Sequence, residues 1–301
     1  MDVFAAGETP TGITLDARIG GSPFNMAVGL ARLGQRVAML ASISDGFLGD
    51  RLFRALGAEG VDTSTVLRSS APTTLGVIGL DDRGVPSYAF YGEGAADRQL
   101  PPAALDTLPA TLRAIQLGSY TLVVDPIAAT LRALVERRHA DTLIAYDPNL
   151  RLNVQPDAQR WRDALAWMLP RTDLLKISDE DLSLLEPGLT PETFAERALA
   201  AGVRLVVVTR GAKGASGWTT DARADADPVP VQVVDTVGAG DTFQAALLTW
   251  LAEQGRLERR ALPGLSRDDL AAALAFATRA AAITCSRRGA DLPRRAELPA
   301  R

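Results

Sequence analysis

The chain has 301 residues, 47% hydrophobic and 23% charged, with a net charge of −4; this is enough to bury a large core as one α/β domain or two smaller ones, and the lack of a long basic run excludes a nucleic-acid-binding surface. One cysteine, Cys285, excludes an internal disulfide and a cysteine metal cluster, and the one histidine, His139, sits in an Arg-rich helix end rather than in the setting of a Ser-His-Asp triad. No secretory leader and no apolar stretch of membrane-spanning length is read, so the expectation is a cytoplasmic protein without a membrane partner.

In chain order, residues 3–7 form a short apolar run, expected as the first strand of the main sheet. Residues 8–19 are a polar, glycine-containing connection able to hold short strands. Gly20-Gly21-Ser22-Pro23-Phe24-Asn25 then opens a helix whose apolar positions, Phe24, Ala27, Val28, Ala31 and Leu33, share one face, and Gly34 ends it. Ser22 reads as its N-cap with Pro23 at the first helical position. Asn25, an amide beside a glycine pair, faces either solvent or a hydroxylated ligand for which Gly20 and Gly21 clear space. Residues 37–43 read as a buried strand and 51–60 as a helix. Residues 74–80 and 87–91 read as strands of a hairpin turning at Asp81-Asp82-Arg83-Gly84. Tyr88, Phe90 and Tyr91 there face either a ligand or a lid interface, and Asp97 with Arg98 forms an ion-pair candidate.

From residue 115 strands and helices alternate, as in a parallel sheet. Strands are expected at 115–118, 143–146, 174–177 and 204–209, and helices at 126–138, 158–169 and 191–201. Ligands gather at the carboxyl ends of such strands. Asp147-Pro148-Asn149-Leu150-Arg151 stands at one end, Lys176-Ile177-Ser178 with Asp181 at the next, and Thr209 with Gly211, Lys213 and Gly214 at the third. Residues 215–219 read as another strand. Residues 231–234 (Val-Gln-Val-Val) read as a strand feeding Asp235-Thr236-Val237-Gly238-Ala239-Gly240-Asp241-Thr242-Phe243, and 243–251 as a buried helix. A glycine turn at a helix start presents free N–H groups to an anion. A carboxylate beside that cradle points to phosphoryl transfer, with Asp241 as base and Gly238, Ala239 and Gly240 holding the phosphate. A helix start favours the ionised carboxylate, which makes Asp241 a weak base. Residues 268–285 are an alanine-rich helix, and the last ten residues read as frayed.

The stretch from Asp235 to Phe243 resembles the C-terminal signature of the PfkB (ribokinase-like) carbohydrate kinases, and Gly20-Gly21-x-x-x-Asn25 with its helix resembles their N-terminal signature. The resemblance covers essentially the whole chain. It implies a ribokinase-like three-layer α/β fold over residues 1–301 as one domain, with a central, mostly parallel sheet and a small β-lid from segments near 9–19 and 72–98. It implies an ATP-dependent kinase that uses Mg2+, with K+ as a further candidate ion, and a homodimer through the lid. It implies Lys176, Ser178, Thr209, Gly211, Lys213 and Gly214 near the nucleotide, Ala277 flanking adenine, and Asp181 as a metal residue where the family more often has Glu. Gly20, Gly21, Asn25, Phe90, Arg98 and Arg151 are implied at the sugar. Asp-Pro-Asn-Leu-Arg and the loop around Asp97 and Arg98 resemble fructokinases, so fructose is the expected acceptor. Fructokinases carry an early Asp after a Gly-Glu pair; here Gly12 stands in its place, and Asp16 is the candidate substitute. The alternatives are a 2-keto-3-deoxygluconate kinase, another sugar or nucleoside kinase, and a catalytically silent nucleotide- or sugar-binding protein.

Overall fold

A computed structural model describes residues 1–80 and 86–299. The chain opens with β1 (Asp2–Thr9) and β2 (Gly12–Arg18), an antiparallel pair, followed by α1 (Ser22–Arg32). Next come β3 (Ala41–Ser44), α2 (Phe47–Ala58), β4 (Val66–Ser69), β5 (Leu75–Leu80) and β6 (Pro86–Tyr91). Then β7 (Ala114–Gly118), α3 (Ile127–Arg138), β8 (Leu143–Asp147), α4 (Ala158–Met168), β9 (Leu174–Ser178), α5 (Asp179–Leu185), α6 (Pro191–Ala200) and β10 (Leu205–Thr209) alternate. The chain closes with β11 (Ala215–Trp218), β12 (Arg223–Ala226), α7 (Ala239–Glu253) and α8 (Arg267–Cys285).

The six-stranded sheet has the order β12-β11-β10-β9-β8-β7. Its β7-to-β10 part is parallel and β11 and β12 are antiparallel additions. Its central strands are buried on both faces, hence their unbroken apolar runs. Alternate residues serve opposite layers. Ile144, Tyr146, Val206 and Val208 pack with α3, α4, α5 and α6, whereas Leu143, Ala145, Leu205 and Val207 pack with α7, α8 and part of α1. A smaller cluster joins the outer face of α1 to α2, β3 and β4.

A second sheet of four strands has the order β2-β1-β5-β6. The run at residues 3–7 belongs here and not to the main sheet: from Ala5 onward β1 is exposed, which a central parallel strand cannot be. The predicted turn Asp81 to Gly84 and the side chain of Tyr88 lie outside the described residues.

Other sequence expectations are also corrected. The run at 37–43 yields only β3, with an isolated bridge from Ala38 to Asp62 before it. Residues 231–234 form no strand. Val231, Val233 and Val234 are exposed, and the backbone amides of Val234 and Asp235 donate to Cys285 O at the end of α8 instead of to a neighbouring strand. The C-terminal segment is docked up to residue 299: Leu292 and Leu298 are buried, and Arg295 makes a two-pronged ion pair with Glu253 of α7 at 2.7 and 3.0 Å.

Asp173, just before β9, ties three distant segments together. It is 2% exposed and accepts hydrogen bonds from Ile144 N at 3.0 Å and from Arg204 Nε and Arg259 Nε at 2.9 Å each. Removing a buried carboxylate from such a cluster strands a buried amide and two guanidinium groups. Asp173→Ala is expected to lower the free energy of unfolding by about 3 kcal/mol, read as a lower urea midpoint at unchanged slope.

Candidate active site

The site lies where the carboxyl ends of β8 and β9 meet the first turns of α1 and α7. Asp147 and Lys176 occupy the strand positions that face the α7 layer, and they form an ion pair with Nζ to Oδ2 at 2.8 Å. Both side chains are nearly sealed from solvent. Such burial is tolerated because each charge neutralises the other. A Cβ at Gly240 would stand 3.1 Å from Lys176 Nζ, so the ammonium lies directly against the first turn of α7. Gly238 precedes that turn with φ 79°, a left-handed conformation that favours glycine, and a methyl there would press on Ala290. The amides of Gly240 and Asp241 have no protein acceptor among the described residues, while Ala239 N donates to Thr236 O. The open part of the expected cradle is therefore Gly240 and Asp241, with Ala239 committed to the turn.

Asp241 is 7% exposed. Its Oδ1 accepts from Ser22 Oγ at 2.6 Å and its Oδ2 from Asn25 Nδ2 at 2.8 Å. Ser22 in turn accepts from Asn149 Nδ2 at 2.9 Å. Burial pushes the Asp241 carboxyl above its ordinary range, against the pull of the Ser22 and Asn25 hydrogen bonds; Asp147 pushes it further up and Lys176 opposes. This corrects the expectation drawn from its place at a helix start, because desolvation outweighs the helix dipole at a sealed site. Ser22 is also corrected. Gly21 stands at the cap position, Ser22 makes no capping bond, and its hydroxyl goes to Asp241.

A second carboxylate faces the glycine pair. A methyl on Gly20 would overlap the carboxylate of Asp2, and a Cβ on Gly76 would stand 3.2 Å from Asp2 Oδ1 and 3.3 Å from the Phe90 ring. Asp2, Gly20 and Phe90 thus share one wall. Burial raises the Asp2 carboxyl, opposed by the neighbouring amino terminus and by Arg151. Asp16, expected here, is instead gripped by Arg18 at 2.6 and 2.8 Å on its own strand. The signal that identifies Asp2 is its place at the head of an apolar strand, ahead of the Gly7-Glu8 pair from which an early acid would be counted. Asp97 does not pair with Arg98: it accepts from Thr74 Oγ1 at 2.6 Å and from Tyr120 OH at 2.7 Å, while Arg98 lies over the Tyr120 ring. Arg151 Nη1 donates to the carbonyls of Leu150 and Asn149.

On the other side of α7, Thr209, Gly211, Lys213 and Gly214 form the turn between β10 and β11. Gly214 (φ 82°) packs against Ala226 O so closely that no Cβ fits. From there a groove of about 540 Å3 runs along α8, lined by Ala226, Val229, Trp250, Ala275, Phe276 and Arg279. Ala277 does not line it; its side chain is fully buried in the core beneath α8. Ser178 caps α5 by accepting from Asp181 N at 3.0 Å. Asp181 accepts from Leu150 N at 3.2 Å, and burial together with Asp147 raises its carboxyl. Asp147 Oδ1 is buried without a partner. No group of three or more acidic, histidine or cysteine side chains forms a metal nest among the described residues. Two carboxylates, one with an open oxygen, fit a Mg2+ ion that takes its remaining ligands from water and substrate phosphates.

The pfkB family carbohydrate kinase profile matches residues 2–297. The chain belongs to this family. It is 36% identical to a fructokinase of Rhizobium leguminosarum bv. trifolii over 251 residues, 83% of this chain and 77% of the relative. Its structure is similar to that of a Xylella fastidiosa fructokinase with bound ATP, at TM-score 0.83 and 26% identity, over 99% of this chain and 92% of that one. It is also similar to a Vibrio cholerae O395 fructokinase in fructose-, ADP- and calcium-bound form, at TM-score 0.79 and 25% identity, over 96% and 91% of the two chains.

As in other pfkB kinases the fold is the ribokinase-like three-layer α/β arrangement. In this one no helix among the described residues is long and apolar enough to cross a membrane. The raised Asp241 carboxyl has a stability consequence. A group whose folded pKa exceeds its unfolded value stabilises the fold below the unfolded pKa, and that stabilisation is lost as pH rises through the folded pKa. Asp241→Asn removes this titration. Calorimetry at pH 5 and pH 8 is expected to show the variant gaining in melting temperature relative to the parent at the higher pH; a loss at pH 8 would mean that the hydrogen bonds to the carboxylate outweigh its burial.

Proposed function

We propose that the chain is an ATP-dependent kinase of a neutral sugar, with fructose as acceptor and Asp241 as base. The carrying observation is the sealed Asp241 carboxylate, which shares the first turn of α7 with two open amides and lies close to the Lys176 ammonium. The acceptor hydroxyl donates its proton to Asp241 as its oxygen bonds to the γ-phosphorus. The bond from that phosphorus to the bridging oxygen breaks, and ADP leaves with the electron pair. The Gly240 and Asp241 amides and the Lys176 ammonium face the phosphoryl oxygens and offset their charge. Asp147 and Asp181 would hold Mg2+, which supplies neutralisation of the β- and γ-phosphate charge when bound. Thr209, Gly211, Lys213 and Gly214 lie along the phosphates, and the groove along α8 takes the base.

For the acceptor, Asp2, Asn25 and the backbone at Gly20 and Gly21 offer hydroxyl partners, and Phe90 flanks them. A carboxylate at Asp2, against Gly20 and Gly76, disfavours an acidic acceptor such as 2-keto-3-deoxygluconate. Of the two cations such an acid could use, Arg151 spends hydrogen bonds on its own loop and Arg98 lies over the Tyr120 ring. The fructokinase relatives, one of them with fructose and ADP bound, support the same choice. The four-stranded sheet is read as a lid over the acceptor, part of a single kinase domain. Its exposed Ile13, Leu15 and Tyr91 suit it to cover a second copy of the chain.

The test is ADP release from ATP and Mg2+ with fructose, 2-keto-3-deoxygluconate, ribose, glucose, tagatose, adenosine and inosine. Fructose is expected to give the highest kcat/KM; silence across the panel with ATP still bound would sink the kinase reading. Asp241→Asn is expected to lose about 1,000-fold in kcat while still binding ATP. Asp2→Ala is expected to raise the fructose KM about tenfold or more and leave the ATP KM unchanged.

A further inference from the structure

Ser22 has a choice of tasks that its neighbours do not. It stands at the start of α1, where a serine ordinarily caps, yet it makes no capping bond. Its oxygen accepts from Asn149 Nδ2 at 2.9 Å and donates to Asp241 Oδ1 at 2.6 Å. The direction is unambiguous: the Asn149 amide nitrogen only donates and the ionised Asp241 carboxylate only accepts, so the Ser22 proton is directed to the carboxylate. Asn149 itself is fixed at φ 42°, a left-handed conformation that asparagine tolerates, at the end of β8. The chain Asn149→Ser22→Asp241 therefore runs in one direction, and each bond polarises the next.

We infer that Ser22 is a positioning residue for the base, which orients the Asp241 carboxylate and holds it ready to accept the acceptor's proton, with Asn149 as the anchor that sets the hydroxyl's direction. The inference rests on the kinase reading above for its catalytic meaning, though the geometry of the relay does not. With Oδ1 held by Ser22 and Oδ2 by Asn25, the carboxylate is fixed by a donor on each oxygen, and each oxygen keeps a lone pair that can take a proton. The other charged groups acting on it are Asp147 of β8 and Lys176 of β9, which pull in opposite directions. Ser22 and Asn25 are thus the groups that offset its burial. When Asp241 takes the proton, the Ser22 hydroxyl remains bonded, so no group has to move during transfer.

Two measurements test this. In the first, kcat/KM is followed against pH for the parent, Ser22→Ala, Ser22→Thr and Asn149→Gly, the last of which removes the amide without straining the backbone. Ser22→Ala is expected to move the acid limb to higher pH, lose about tenfold or more at pH 6, and recover most of that loss at pH 9. Ser22→Thr is expected to restore the parent profile, and Asn149→Gly to shift it in the same direction by less. An unchanged profile with a raised acceptor KM would overturn the inference, since Ser22 would then serve the sugar directly. In the second, the Asp241 carboxyl is titrated by 13C NMR in aspartate-labelled protein without ATP or sugar, with Asp241→Asn giving the assignment. A higher midpoint in Ser22→Ala supports the relay even if the parent phosphorylates nothing, in which case only the kinase reading fails. An unmoved midpoint overturns the relay whatever the turnover.

Discussion

The Asp147–Lys176 ion pair is the constraint around which this site is arranged. An ammonium sealed under a helix start is unstable alone, and a sealed carboxylate is equally so; together they survive burial. Their pairing fixes the ends of two adjacent parallel strands and places a positive charge where α7 begins. Gly240 must then be glycine-thin to come so near, and its amide stays open. Around this one lysine stand three carboxylates, Asp147, Asp181 and Asp241. Burial raises the proton affinity of Asp181 and Asp241, neither of which has a direct ion pair among the described residues. Within this cluster acid outnumbers base, an excess that a divalent cation would offset.

That imbalance explains why the local polar bonds are so complete elsewhere. Asp241 takes one donor on each oxygen, Asp181 takes the Leu150 amide, and Asp2 sits within the influence of Arg151. Asp147 Oδ1 is buried without a partner among the described residues, while its Oδ2 is held by Lys176. Burial without satisfaction is costly in a structural pair, and the Mg2+ proposed at Asp147 and Asp181 would relieve that cost.

Much of this was readable in the sequence, for reasons that can be named. The glycine words at either end of the chain specify backbone that must approach another group, and Asn25 and Asp241, chosen from those words, do meet at 2.8 Å. The buried strands 143–147, 174–178 and 205–209 were legible because both of their faces are apolar. What failed was local reasoning where a distant group intervenes. Ser22 has the local signature of a cap, but a buried carboxylate from the far end of the chain claims its hydroxyl. Residues 231–234 have strand-like composition but no neighbouring strand, and composition carries no information about the neighbour. Asp2 escapes a spacing counted from Gly7-Glu8, because its proximity to Gly20 arises from the pairing of β1 with β2, which sets Asp2 opposite Arg18.

The hydrogen bonds that join Asp241 to Ser22 and Asn25 close loops of 219 and 216 residues. During synthesis at about 5–20 residues per second, α1 leaves the ribosome on the order of ten seconds or more before α7 exists to meet it. The face of α1 that carries Met26 and Leu33 into the α7 layer must wait through that interval without its partner. Contacts of such long sequence separation also form late and slowly on refolding. The junction of α1 with α7 is therefore among the last parts of the molecule to be assembled, and an incomplete chain, however well its parallel strands have paired, carries an uncovered apolar helix face.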